Sequence, residues 1–281
     1  MPVVPNRADR PAAERQQLAD GAEAPGSAAA VSAQAARSAP AADVGTEAHG
    51  SAPIVGAQAN GSAPGAAVGA GVAELPRDLV TRGLAAARSA IETEAAAVSA
   101  LADRLDGVFL DVLTAVAGCQ GHLVVTGLGK SGLVGRKIAA TLASTGTPAT
   151  FIHAGDALHG DSGAVTSRDL VLALSASGET AEVCAFARML AERSIPVIAM
   201  TGAEHSTLAQ LATYTLDTMV LREADPLNLA PTASTTAALV MGDALACALV
   251  VLREFTHHDF ARFHPSGTLG ARLLGSGEQA P

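Results

Sequence analysis

Beyond Gly121 the sequence alternates short apolar runs with amphipathic segments, and this alternation constrains the fold more than any other feature. Runs that are apolar at every position suit strands buried on both faces, and helical crossovers between such strands make a sheet parallel. The sequence therefore predicts an α/β fold, a three-layer doubly wound sheet of about five parallel strands. The runs lie at 123–125, 151–152, 170–174, 197–200 and 214–216.

The residues before the first predicted strand show helical spacing. From Pro76 onward, apolar residues recur at intervals of three, four and seven, as at Leu84, Ile91 and Val98. This period indicates two helices over 79–118 with a break near Gly107. A further long helix is predicted over 232–254, after the last strand.

The first 75 residues differ in composition from the rest of the chain. Ala, Gly, Pro and Ser fill 45 of these 75 positions, and no hydrophobic period runs through them. Such a segment buries too little apolar surface to offset the entropy of ordering it. We expect residues 1–75 to form a disordered extension and residues 76–275 to form the folded domain.

Composition also limits the function. A formal net charge of −9 and an aromatic content of 2% disfavour a nucleic-acid partner, which requires a basic face and stacking side chains. The three cysteines are too few and too scattered for a disulfide framework or a zinc cage. We find no apolar run of about 18 residues and no apolar core of a secretory signal. The sequence predicts a soluble cytoplasmic protein with no membrane partner, no metal and no cofactor.

The first strand leads into Gly127-Leu128-Gly129-Lys130-Ser131-Gly132, at the start of a predicted helix. A Walker A loop needs glycine at position 124, which is Val. The dinucleotide pattern G-x-G-x-x-G matches, but the second strand is followed by His153 where that fold needs an acidic residue. What remains is an anion site at a helix N-terminus, to which Gly129, Lys130 and Ser131 contribute backbone amides, a cation and a hydroxyl.

The third strand ends in Ser175-Ala176-Ser177-Gly178-Glu179-Thr180, again directly before a predicted helix. Ser175, Ser177 and Thr180 supply three hydroxyls, and Gly178 gives the loop freedom to close around a small anion. Serines at a helix start serve more often as caps than as ligands. Because Lys130 and Ser131 follow another strand end of the same sheet, we interpret the two loops together as a phosphate site.

These loops resemble a known family. Together with Ala230-Pro-Thr-Ala-Ser-Thr-Thr and His264-Pro-Ser-Gly-Thr-Leu-Gly, in this order, they are similar to the sugar isomerase (SIS) domain of arabinose-5-phosphate isomerases. The likeness spans roughly residues 80–275. It implies a homotetrameric enzyme that interconverts ribulose 5-phosphate and arabinose 5-phosphate. Family members commonly continue into cystathionine-β-synthase-type domains, whereas this sequence ends soon after Gly270, so nucleotide regulation through such domains is not expected.

The resemblance also implies roles for individual residues. Its phosphate loop corresponds to Ser175, Ser177, Gly178 and Thr180, and it nominates His159 as a sugar contact. His153 and His159 without a third ligand make a poor metal site. The remaining active-site positions that it implies are Lys130, Glu182, Glu223 and His264.

Aldose–ketose interconversion needs a base that moves a proton between C1 and C2 and an acid that serves the oxygens. Glu223, in a polar loop after the fifth strand, is our choice for the base, with Glu182 as the substitute. His264 suits ring opening or proton transfer to oxygen. We expect Glu223 and His264 to act on one substrate, brought together by the helix between them or by an adjacent subunit.

Three alternatives remain open at the level of sequence. A hexulose or heptose phosphate could be the substrate on the same scaffold. A non-catalytic sugar-phosphate sensor would need the phosphate loop but no base, so Glu182, Glu223 and His264 favour the enzyme. A dinucleotide-dependent dehydrogenase is disfavoured by the end of the second strand.

Overall fold

In the computed structural model, residues 75–264 are described. They form a five-stranded sheet in the order β2-β1-β3-β4-β5, and every pairing in it is parallel. The predicted α/β class is confirmed. The predicted extension, residues 1–75, lies outside the described residues except for Leu75, as does the end of the predicted domain. The strands are β1 (Leu123–Gly127), β2 (Ala149–His153), β3 (Leu170–Leu174), β4 (Val197–Thr201) and β5 (Tyr214–Asp217).

Eight α-helices and two short 3-10 helices (Ala102–Arg104 and Asp161–Ala164) surround the sheet within residues 75–264. The two main crossover helices follow β1 and β3. The helices are α1 (Arg77–Ser99), α2 (Gly107–Ala117), α3 (Gly129–Ser144), α4 (Ala154–Ala157), α5 (Ala181–Glu192), α6 (Thr207–Leu211), α7 (Ala233–Leu252) and α8 (His257–Phe263).

The three central strands explain why the apolar runs were continuous. All five residues of β1, β3 and β4 are buried, because helices cover both faces of the sheet. Edge strand β2 is less buried, which accounts for its shorter apolar run. Polar residues such as Thr126 and Thr201 extend the strands beyond the predicted ends, since the parallel ladder also satisfies their backbone groups.

Two helices precede the sheet, as predicted, with the break at residues 100–106. Asp106 caps α2, where its Oδ1 accepts bonds from the amides of Val108 (2.9 Å) and Phe109 (3.2 Å). Helix α2 buries Phe109 in the core, whereas α1 buries no residue, and Leu84 and Ile91 are exposed. The apolar spacing of α1 therefore predicts its helix correctly, but the contact of α1 with α7 leaves these apolar residues uncovered by the rest of the described chain.

Helix α7 runs along the sheet from the carboxyl ends of the strands toward their amino ends. By length and composition α7 could cross a membrane, since its mean hydropathy is 2.0. The search for continuous apolar runs did not detect this helix, because hydroxyl residues and Asp243 interrupt the run. One face of α7 packs into the core through Ala237, Met241 and Leu245. The Nζ of Lys137 on α3 lies 2.5 Å from an oxygen of Asp243. These contacts are those of a core helix.

Gly242 allows α7 to approach α3 closely. A Cβ atom there would lie 2.5 Å from Cδ1 and 3.0 Å from Cγ2 of Ile138. Gly242→Ala should therefore destabilise the fold by about 1–3 kcal/mol through overpacking. Gly83→Ala, on exposed α1 with nothing within 4 Å of the added atom, is the matched control and should stabilise by up to about 1 kcal/mol. Urea unfolding of both variants measures this; equal midpoints would contradict close packing at Gly242.

Candidate active site

The candidate site lies where the parallel strands end. Gly127 of β1 is in register with His153 of β2 and Leu174 of β3, so the loops that follow these residues leave the same edge of the sheet. In open α/β sheets this edge is where ligands bind. The edge holds both predicted anion loops and the beginning of α7.

The turn between β1 and α3 is built by glycines. Gly129 has a φ of +56°, which favours glycine, and it opens α3. A Cβ atom on Gly132 would lie 3.0 Å from the Gly127 carbonyl oxygen, so only glycine lets the helix pack this closely on the strand. The G-x-G-x-x-G pattern is thus accounted for by backbone packing. Because β2 ends in His153, no carboxylate of that strand end is in place to bind a ribose.

The loop from β3 to α5 is closed by its own hydroxyls. Ser175, 2% exposed, has its Oγ 2.9 Å from the Oγ1 of Thr180, and the Gly178 amide donates to the Ser175 Oγ (3.1 Å). The Glu179 amide donates to the Ser177 Oγ (3.2 Å). These bonds fix the backbone of the loop between β3 and α5.

Helix α6 holds this loop from outside. The Glu179 carboxylate accepts bonds from the Thr207 amide (2.8 Å) and hydroxyl (2.7 Å), and these two bonds lower its pKa below the ordinary value. The Leu208 amide donates to the Gly178 carbonyl (3.0 Å). Gly178, at φ +67°, leaves no room for a Cβ atom beside Ser206. The loop is therefore fixed before any ligand arrives.

The helices that follow β1 and β3 begin at this edge without a side-chain cap. The N-cap residues of α3 and α5, Leu128 and Thr180, make no capping hydrogen bond to the described residues. The first amides of both helices are left without a side-chain acceptor, and the helix dipoles add positive potential. This arrangement favours an anion at the point where the two loops meet.

Glu223 is bound to the start of α7. Its Oε2 accepts from the Thr232 amide (2.8 Å), the Thr232 hydroxyl (3.1 Å) and the Ser234 amide (3.2 Å), and its Oε1 accepts from the Ser234 hydroxyl. Partial burial pushes the pKa of Glu223 upward, but these hydrogen bonds outweigh it, so the pKa is lowered. Glu223 is therefore ionised at neutral pH.

A small pocket connects this carboxylate region with the anion loops. Ser131 at the start of α3, Ser175 after β3 and Ser234 at the start of α7 all line it, as do Thr218 and Thr235. The structure thus brings hydroxyls from four separate segments together. The pocket continues the predicted phosphate loops toward the segment that holds Glu223.

The other predicted site residues lie around the same edge. Lys130 and Glu182 occupy the first turns of α3 and α5, and neither side chain forms a hydrogen bond or ion pair with another residue in the range 75–264. His159 is exposed in the segment after β2. Arg193 fixes that segment by donating to the carbonyls of Ser162 (3.0 Å) and Val165.

His264 is not brought to Glu223 within one chain. Helix α7 leads away from the carboxyl ends of the strands. Arg253, just after α7, donates to the Val116 carbonyl (3.2 Å), and Val116 precedes β1 at the amino ends of the strands. Phe255 packs beside Gly146, which lies before β2. His264 stacks on Phe260 at 4.0 Å between ring centroids, and its Nδ1 lies 2.9 Å from the Phe260 carbonyl oxygen.

Sequence reasoning gave no role to Thr232, Ser234 and Thr235. The signal was present, since residues 232–236 hold four hydroxyls in five positions at a helix start after the last strand. Hydroxyls at a helix start usually cap it. What the sequence could not show is that α7 is capped by Glu223 instead, which leaves these hydroxyls to bind the carboxylate and line the pocket.

Comparison with known proteins identifies the family. Residues 118–248 match the family model of the SIS domain. The chain is 49% identical over 191 residues to arabinose 5-phosphate isomerase GutQ of Salmonella typhi (68% of this chain, 60% of that protein). It is 51% identical over 188 residues to arabinose 5-phosphate isomerase KdsD of Pseudomonas aeruginosa (67% and 58%). The chain thus spans about 60% of the length of these curated relatives.

A solved structure supports the same relationship over a whole chain. The Escherichia coli CFT073 protein in complex with A5P aligns with a TM-score of 0.63 and 39% identity, covering 68% of this chain and 100% of that one. The five-stranded parallel sheet and the two anion loops on one edge agree with this match. The chain belongs to the SIS-domain family.

Proposed function

We propose that this protein is a sugar-phosphate isomerase that interconverts arabinose 5-phosphate and ribulose 5-phosphate through an enediolate. The observation that carries the proposal is that two uncapped helix N-termini and an ionised carboxylate, Glu223, lie at the same edge of the sheet. Relatives named arabinose 5-phosphate isomerase, and a structural neighbour solved with A5P, support this choice of sugar.

In the proposed mechanism the phosphate binds between the starts of α3 and α5. The hydroxyls of Ser131, Ser175, Ser177 and Thr180 and the open amides of both helices surround that position. Charge-assisted hydrogen bonds from such donors are stronger than neutral ones. Lys130 adds a positive charge at the same edge.

Isomerisation then proceeds by proton transfer. Glu223 takes the proton from C2 of the aldose, the electron pair forms the C1–C2 double bond, and the negative charge moves to O1. Lys130 stabilises this enediolate. The O2 proton is then transferred to O1, and Glu223 returns its proton to C1 as the C2 carbonyl forms, which gives the ketose. Glu182 is the substitute base, and His159 contacts the sugar.

We propose that a second copy of the chain supplies His264 for ring opening or for protonating O1. The His264 of one chain follows a helix that leads away from its own Glu223, whereas the exposed apolar residues of α1 and α7 offer a surface for another copy. A homotetramer, as in the resembling family, would bury these faces. We place this enzyme in the cytoplasm.

Purified protein assayed against pentose, hexose and heptose phosphates tests the function. We expect interconversion of arabinose 5-phosphate and ribulose 5-phosphate at rates well above those for the longer sugars. Turnover of only a hexose or heptose phosphate would reassign the substrate. Binding of a phosphosugar by calorimetry with no turnover of any would favour the sensor instead.

Ser177→Ala tests the phosphate loop. Removing one hydroxyl that bonds a charged phosphate should raise KM about tenfold with kcat little changed. The control is Ser167→Ala, on the opposite edge near Asp169, where a hydroxyl is lost outside the proposed site. Steady-state kinetics measures both; an unchanged KM in Ser177→Ala would remove this residue from the phosphate site.

A further inference from the structure

The two oxygens of the Glu223 carboxylate have different environments. Oε2 accepts three hydrogen bonds, two from Thr232 and one from the Ser234 amide. Oε1 accepts only from the Ser234 hydroxyl among the described residues. A carboxylate oxygen with three donors has little capacity left for a fourth, so Oε1 is the oxygen that can receive a proton.

Ser234 both donates its hydroxyl to this oxygen and lines the pocket. Ser234 is 7% exposed, lines the pocket with Ser131 and Ser175, and makes its hydroxyl bond only to Glu223 within residues 75–264. Thr232 is engaged differently, because its hydroxyl also accepts from the Ala224 amide (2.7 Å) and so closes the loop. Thr232 therefore shapes the backbone, while Ser234 contacts the reactive side of the carboxylate.

We propose that Ser234 is a positioning residue that directs Oε1 of Glu223 at the C1–C2 segment of the bound sugar. This rests on the proposed function. The terminal torsion of a free carboxylate is broad and nearly two-fold. The bonds to Oε2 restrict it, and the Ser234 hydroxyl on Oε1 completes the selection of a single orientation. Because misplacement of a catalytic group by about an ångström lowers rates strongly, this selection should appear in kcat.

The charged groups around Glu223 do not replace this contact. Arg222 donates through Nε to the Glu223 carbonyl (3.3 Å), not to its carboxylate. Asp225 accepts from the amides of Leu227, Leu229 and Ala230 in the same loop. From α1, Glu94 accepts from the hydroxyl of Thr236 (3.0 Å). Within the described residues the direct partners of the Glu223 carboxylate are therefore Thr232 and Ser234 alone.

The test compares Ser234→Ala, Ser234→Thr and the control Thr236→Ala in the full chain. We expect Ser234→Ala to lower kcat on its pH plateau about tenfold with KM unchanged, and to move the acidic limb of the kcat profile to higher pH. Ser234→Thr, which keeps the hydroxyl, should recover most of the rate. Thr236→Ala removes a neighbouring hydroxyl that bonds Glu94, and its profile should match the wild type. An unchanged plateau kcat in Ser234→Ala, or no recovery in Ser234→Thr, overturns the proposal.

A second measurement separates this proposal from the proposed function. Titration of the Glu223 carboxyl by 13C NMR, assigned from the signal lost in Glu223→Gln, requires no turnover and also shows that each variant is folded. The pKa should rise in Ser234→Ala and stay in place in Thr236→Ala. A wild type that turns over no phosphosugar refutes the proposed function, whereas a Glu223 pKa that does not move in Ser234→Ala refutes the contact itself.

Discussion

Glu223→Gln should lower kcat for arabinose 5-phosphate isomerisation by about a hundredfold or more and leave KM nearly unchanged. The amide keeps the shape of the carboxylate. Its oxygen can accept from Thr232 and the Ser234 amide while its NH2 group donates to the Ser234 hydroxyl, but it cannot take a proton from carbon. An interaction that matters mainly in the transition state appears in kcat. Deuterium at C2 should wash out into solvent with the wild type and be retained with the variant.

Glu94→Gln is the matched control for this experiment. It makes the same exchange of carboxylate for amide on α1, where Glu94 accepts a bond from Thr236 outside the proposed site. Its kcat should stay within about twofold of the wild type, as for a surface substitution. If Glu223→Gln exchanges deuterium at the wild-type rate, Glu223 is not the base, and Glu182 is the next carboxylate to test.

Two inactive variants should restore each other when they are expressed together. Glu223→Gln and His264→Ala should each fall to about one hundredth of the wild-type kcat. If each site takes Glu223 from one chain and His264 from another, about a quarter of randomly assembled sites contain both intact residues. Co-expression should therefore raise activity to about a quarter of the wild type.

The control for this complementation is a mixture of the same two variants purified separately and assayed without subunit exchange. It should show only the low activities of its components. Activity that stays at that level after co-expression, in a sample shown by sedimentation to contain mixed oligomers, would place Glu223 and His264 of one chain in the same site. A stable monomer at micromolar concentration would contradict the shared site as well.

The sheet could be predicted from sequence because its signal is local. The runs that became β1, β3 and β4 are apolar at nearly every position, and burial on both faces is the only environment in which that pattern is stable. The strand ends were placed less well. Thr201 and Asp217 are polar and belong to strands through backbone pairing, which leaves no hydrophobic signal.

The site could be predicted only where its residues share a loop. Ser175, Ser177 and Thr180 are neighbours in sequence. The hydroxyls of Ser175 and Thr180 contact each other, and that of Ser177 accepts from the Glu179 amide of the same loop. The partners of Glu223 are nine and eleven residues away, and they reach it because the loop folds back on the start of α7. Hydrogen bonds of this kind depend on tertiary structure, so no pattern in the sequence predicted them.

The position of His264 could not be inferred for a related reason. The length of α7 was predicted well, but its direction relative to the sheet follows from packing contacts such as that of Gly242 with Ile138. The same packing leaves apolar residues of α1 exposed, including Leu84 and Ile91. A helical period reports which residues share a face and does not identify the surface that covers them.

The helices α3, α5 and α7 of the candidate site all begin near the ligand edge, and they differ in which groups neutralise their N-termini. The starts of α3 and α5 have no side-chain cap, whereas the start of α7 is bound by the Glu223 carboxylate. A doubly charged phosphate is therefore attracted to one side of the edge and repelled from the other. Under the proposed function, the fold therefore sets the direction in which a sugar phosphate lies, and the same sugar without its phosphate should lose this alignment together with its affinity.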